Sequence, residues 1–110
     1  MERIKFLTGG GHLEGALEAC RLGNVDKVQR FVEKGWNPVT ETDRNGCNAL
    51  AWAAGEGHLS ICQYLVEKCG VNINELSGKP KRKRHALHWA ARNGRLDVVK
   101  WFISINGENI

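Results

Sequence analysis

The sequence predicts an all-α fold, a solenoid of stacked helix-turn-helix units with β-hairpin-like connectors. Three observations predict it. First, "NALAWAAGEGHLSICQYLVEK" (48–68) superposes without a gap on "HALHWAARNGRLDVVKWFISI" (85–105), and a weaker copy, "GALEACRLGNVDKVQRFVEK" (15–34), lies upstream. Second, each copy joins an Ala-rich stretch, through a glycine, to a stretch with apolar residues at helical spacing. A unit of this kind cannot bury its apolar face alone, and a stack of three or more shares a core. Third, Glu18, Lys27 and Arg30 of the first copy stand where the later copies carry Trp52/Trp89, Ile61/Val98 and Tyr64/Trp101. A terminal unit needs such polar residues because one of its faces meets water.

Taken in order, residues 1–12, with Gly9-Gly10-Gly11, read as a flexible N-terminal lead-in. The repeat domain runs over 13–110, in units of about 13–42, 43–79 and 80–110, with 13–34 as its cap. Helices are expected over about 49–55 and 86–93, where small side chains let neighbours approach closely. Gly23, Gly57 and Gly94 end the first helix of each unit, because glycine takes positive φ at no steric cost. The second helices carry Leu59, Ile61, Cys62, Leu65 and Val66, then Leu96, Val98, Val99, Phe102 and Ile103. Asn48 is suited to cap a helix, and His85 is a poorer cap. Trp52, Trp89 and Trp101 read as core residues, whereas Trp36, in a connector, reads as half-exposed and free to touch a partner. The last unit shows no polar conversion to match that of the first. Val98, Val99, Trp101, Phe102 and Ile103 stay apolar, so its C-terminal face is expected to be uncapped and to be covered by a further repeat, a partner or a second copy.

The stretches "DRNGCNALAWAAGEGHLSICQYLVEKCGVNIN" (43–74) and "HALHWAARNGRLDVVKWFI" (85–103) resemble the ankyrin-repeat family, whose pattern is D-x-x-G-x-T-P-L-H-x-A-A-x-x-G-H, an apolar helix, then G-A-D-x-N. The similarity covers about residues 13–110. Asn48-Ala49 and His85-Ala86 replace the family's Thr-Pro, and Ala51 replaces a His that His88 keeps. The resemblance implies structural hydrogen bonds for His58 and His88. It also implies that partners are bound by the hairpin tips and the exposed side of the first helix. Those positions are Arg44, Asn45, Cys47, Gly55 and Glu56 in the middle unit, and Lys81, Arg82, Arg84, Arg92 and Asn93 in the last.

Several function classes find no support. There is no G-x-S-x-G, phosphate loop, H-E-x-x-H or C-x-x-C, so no catalytic group, cofactor or metal ligand is expected. No apolar run approaches the ~20 residues needed to span a bilayer. "MERIKFLTGGGH" lacks the apolar h-region of a signal peptide, so an intracellular setting, cytoplasmic or nuclear, is expected, with reduced cysteines.

The formal charge is +4, and five cations with no anion fall in 79–84, which leaves the rest of the chain at −1. The basic character therefore belongs to one connector. That connector also explains the uneven period, since the copies are offset by 34 and then by 37 residues. Three readings of the run stand side by side. It is a solvated loop, a surface for an acidic protein partner or an import receptor, or an unselective, salt-sensitive contact to nucleic acid. The expected function is non-catalytic protein–protein interaction, with a nuclear-targeted or nucleic-acid-binding module as the alternative.

Overall fold

The computed structural model describes residues 9–81 and 83–106. Six helices follow one another as three antiparallel pairs: α1 (Gly9–Leu22) with α2 (Val25–Glu33), α3 (Ala49–Glu56) with α4 (Leu59–Glu67), and α5 (Ala86–Arg92) with α6 (Leu96–Asn106). Two short strands, β1 (Leu76–Ser77) and β2 (Arg84–His85), pair antiparallel in the second long connector. The first long connector closes with a single bridge, Thr42 to Asn48. The backbone of α1 is helical from Gly9, so residues 9–12 belong to the first helix and not to the lead-in; residues 1–8 and 107–110 lie outside the described residues.

The stops and starts follow local chemistry. Asn48 and Asn24 accept the amides of Ala51 and Lys27 and so cap α3 and α2, whereas His85 makes no such bond at the start of α5. Gly23, Gly57 and Gly94 have φ of 81°, 82° and 72°, the left-handed turn that lets each second helix fold back on its first.

Packing is densest at α3, which lies between α1 and α5. Ala49, Leu50, Ala51, Ala53, Ala54 and Gly55 are all buried there, because small side chains let both neighbours come close. Ile61, Leu65, Val98 and Phe102 are fully buried from the second helices, and Lys27 and Arg30 are exposed at the outer face of the first pair. Of the residues expected on an open C-terminal face, Val98 and Phe102 are wholly covered, because α6 turns them toward α4 and α5. The face is nonetheless open at Leu96 and Ile103, which are 65% and 49% exposed. His88 and Ala91 are also exposed, where their counterparts Ala51 and Ala54 are buried.

A polar staple recurs between units. His58 donates through Nε2 to the Arg21 carbonyl (2.8 Å), and its counterpart Arg95 donates through Nε to the Gly55 carbonyl (3.0 Å). Asn93 adds a second bond to the same carbonyl at 2.8 Å. The structural hydrogen bond expected of His58 is present. His88 makes none among the described residues; its exposed ring meets Trp89 edge-on at 5.4 Å.

Candidate functional site

The two long connectors stand side by side and close differently. In the first, Asp43 holds the turn together. Its Oδ1 accepts the amides of Asn45 (2.8 Å) and Cys47 (2.9 Å), and its Oδ2 accepts Trp52 Nε1 (3.0 Å). Asp43 and Cys47 also face each other through a backbone bond, inside the Thr42–Asn48 bridge. In the second connector Leu76 faces His85 and Ser77 faces Arg84. Counted from the bridge, Ser77 therefore takes the place of Asp43 and Arg84 that of Cys47. The tip between them spans six residues (78–83) where the first has three (44–46), which accounts for the longer repeat offset.

The exchange of Asp for Ser has a visible effect. A Ser side chain is too short, and lacks the second oxygen, to do what Asp43 does. Ser77 Oγ is buried with no partner, and so is Nε1 of Trp89, the counterpart of the indole that Asp43 accepts. Lys83 does not take the left-handed conformation that Gly46 has at φ 84°. The connectors touch where the Gly78 amide donates to the Gly46 carbonyl at 2.9 Å, and a Cβ on Gly46 would lie 2.5 Å from the Gly78 carbonyl oxygen.

Two concavities follow. One, of about 220 Å³, lies along the first helices and is lined by Cys47, Ala51, Trp52, Gly55, Glu56, Trp89 and Asn93. The other, of about 540 Å³, runs between the connectors, with Val39, Asp43, Arg44, Asn45, Leu76, Ser77, Lys79, Pro80 and Lys83 among its walls. Of the predicted contact residues, Cys47, Glu56 and Asn93 meet in the first concavity, and Arg44 and Asn45 are exposed beside the second. Lys81 and Arg84 are exposed on the longer connector, and Arg92 is exposed with its guanidinium 5.6 Å from the Trp89 ring. Arg82 lies outside the described residues. Glu56 pairs with Arg95 at 3.9 Å, whereas Lys79, Lys81, Lys83 and Arg84 have no acidic partner among the described residues. Burial, then the neighbouring Asp43 charge, raise the Cys47 thiol above its ordinary 9.0. No three His, Cys, Asp or Glu side chains among the described residues are grouped to hold a metal, and no described helix is long and apolar enough to cross a membrane.

The tryptophans correct the sequence reading. Trp36, expected half-exposed, is 2% exposed and packs in the core. Trp52 and Trp89, expected in the core, are half-buried and line the first concavity, with Trp52 also packed against the core. The signal was present in the register: Glu18, Trp52 and Trp89 form one column, and an exposed Glu18, ion-paired to Arg21 at 2.7 Å, marks that column as facing water. Trp101 does pack against the core, tilted on Phe102 at 5.2 Å.

Comparison with known proteins agrees with this architecture. The family model for ankyrin repeats (3 copies) matches residues 16–110. The 26S proteasome non-ATPase regulatory subunit 10 of Dictyostelium discoideum is 32% identical over 71% of this chain and 34% of its own length. The palmitoyltransferase AKR1 of Yarrowia lipolytica is 45% identical over 48% of this chain and 8% of its own, and the human ankyrin repeat domain-containing protein 40 is 34% identical over 56% and 17%. The matched region thus spans about a third or less of these relatives. Three helix pairs, recurrent glycine turns, two hairpin connectors and a family match over nearly the whole length converge on one assignment: the chain belongs to the ankyrin-repeat family.

Proposed function

We propose that this chain is a non-catalytic protein-binding module that engages its partner with the connector tips and the exposed side of the first helices. Ankyrin repeats are in general protein–protein interaction modules. The observation that carries the finer reading is the concavity between the second and third units, where two half-buried tryptophans, Trp52 and Trp89, sit among Cys47, Glu56 and Asn93. Half-exposed indoles at the edge of a rigid scaffold supply large contact area at little entropic cost. Exposed Val39 and Leu76 beside the second concavity extend the apolar part of the surface, and Arg44, Asn45, Lys81, Arg84 and Arg92 form its polar surround. An intracellular setting, cytoplasmic or nuclear, goes with this reading.

The test is affinity capture with the chain and with Trp52→Ser/Asn93→Lys, compared with Gln63→Lys on α4. Loss of specifically captured proteins in the first variant alone supports the proposal; equal capture by both contradicts it. The alternative, nuclear import or nucleic-acid binding through 79–84, draws on Lys79, Lys81, Lys83 and Arg84, which have no acidic partner among the described residues. Its binding to DNA and RNA would be unselective and would weaken steeply with salt. A sequence preference that persists at physiological salt would favour a dedicated nucleic-acid function instead.

A further inference from the structure

We propose that the second connector is a receptor for a carboxylate side chain of an acidic segment on a protein partner, which supplies to Ser77, Trp89 and the flanking lysines the anion that Asp43 supplies within the first connector. The inference rests on the protein-binding reading and names the partner's chemistry.

Three independent features meet at this place. Ser77 is 5% exposed and its Oγ has no hydrogen-bond partner. Trp89 Nε1 is likewise buried and unpartnered, although its counterpart Trp52 is held by Asp43 Oδ2 at 3.0 Å. Buried donors without acceptors are costly, and native proteins keep few of them; Trp36 Nε1 is another in this chain, but the concavity that Trp36 lines carries a single cation, Lys68, and no cluster. Around them, Lys79, Lys81, Lys83 and Arg84 are exposed without an acidic partner among the described residues. The lesion is therefore one of a single kind: donors and cations are in place and the acceptor is absent.

The opening is in place as well. The concavity between the connectors, about 540 Å³, is walled by Ser77, Lys79 and Lys83 and is roomy enough for an acidic side chain and its neighbours. A carboxylate entering here accepts from Ser77 Oγ–H and is paired by the two lysines. Reaching Ser77 Oγ and Trp89 Nε1, which are both shut off from solvent, takes a small outward shift of the connector strand. β1 and β2 have only two residues each, so the pairing that resists this shift is short. A carboxylate is favoured over a nucleic-acid phosphate because the second connector differs from the first by the loss of a carboxylate, and because Val39 and Leu76 flank the opening with apolar surface that suits a protein segment.

The experiment follows the indole N–H resonances of the ¹⁵N-labelled chain during titration with hexaglutamate and, separately, hexaglutamine at physiological salt. Trp89→Phe assigns the signal. The expected result is a saturable shift of the Trp89 indole with hexaglutamate and none with hexaglutamine, while the Trp52 indole, already held by Asp43, stays still. Ser77→Asp builds the carboxylate into the chain and should weaken hexaglutamate binding about tenfold or more. Ser77→Ala, which adds no charge, and Lys79→Gln/Lys83→Gln should each weaken it severalfold, so the proposal remains testable if the Asp variant does not fold. It is overturned if the Trp89 resonance stays fixed while hexaglutamate binds, if Ser77→Asp and Ser77→Ala bind as the parent does, or if a single-stranded oligonucleotide moves the same resonance at lower concentration than hexaglutamate. Failure here with Trp52- and Asn93-dependent capture intact removes only the carboxylate receptor; loss of that capture as well removes the protein-binding reading itself.

Discussion

Gly57 carries two constraints at once. Its φ of 82° belongs to the left-handed region, and a Cβ there would lie 2.9 Å from Cδ of Arg95, the residue that staples the third unit to the second. Gly94 shares the backbone constraint at φ 72° but has open space around it. Gly57→Ala should therefore cost about 2 kcal/mol and Gly94→Ala about 1 kcal/mol, read as urea midpoints at constant slope; equal costs would show that the staple gives way freely. Asp43 is a second such residue. Its carboxylate accepts three hydrogen bonds, so Asp43→Ala should destabilise by roughly 2–3 kcal/mol and shift the Trp52 fluorescence. A third residue-scale effect concerns pH. Burial pushes the Cys20 and Cys62 thiols up to about 12 from an ordinary 9.0. The folded chain keeps these protons while the unfolded chain releases them, so their contribution is whole below pH 9 and lost as pH rises from 9 toward 12. The denaturation midpoint should fall between pH 8 and 10.5, by up to ~1.4 kcal/mol per pH unit for each thiol once above pH 9, and Cys62→Ala should flatten that fall.

At the scale of elements, the helices were legible in the sequence and the connectors only in part. The Ala-rich runs, the glycine stops and the 3–4 apolar spacing each point to helix, and α3 and α5 lie within a residue or two of their expected bounds. The capping difference between Asn48 and His85 was also readable, since it depends on one side chain. Trp52 and Trp89 were not placed correctly, because a helix of seven or eight residues between two neighbours has a third face, and periodicity alone does not say which large residue occupies it. The exchange of Asp43 for Ser77 was hidden by the longer tip: aligned without a gap, Asp43 falls opposite Pro80, and only the observed pairing of Leu76 with His85 sets the register. The same tip gives a direct check of the unit boundaries. Limited trypsin digestion should cut after Lys81, Lys83 or Arg84, all exposed, well before the bonds after Lys27 and Arg30 in α2 or Lys100 in α6; early cleavage inside α2 or α6 would contradict the stacking.

Across the whole molecule, the three helix pairs differ in how their outer faces meet water. The first exposes Lys27 and Arg30 where the others bury Ile61, Tyr64, Val98 and Trp101 wholly or in part. The third exposes Leu96 and Ile103 and leaves the Gly94 turn open. Covering those two side chains would recover roughly 1.5–3 kcal/mol, about half of their full burial value. Appending a polar fourth unit should raise the denaturation midpoint accordingly, and sedimentation over a wide concentration range should show whether a second copy covers the face instead; an unchanged midpoint in a strictly monomeric chain would mean that the third unit caps itself. The central claim, that the connector and first-helix side is the partner-binding side, is tested most directly by site-specific photo-crosslinking. A photoreactive residue is placed in turn at Arg44, Glu56 and Asn93, and at Gln29, Gln63 and Lys100, a column on the second helices. Protein adducts from the first three positions and few from the second three are the predicted result; equal adducts from both sets, or adducts from the second set alone, would contradict it.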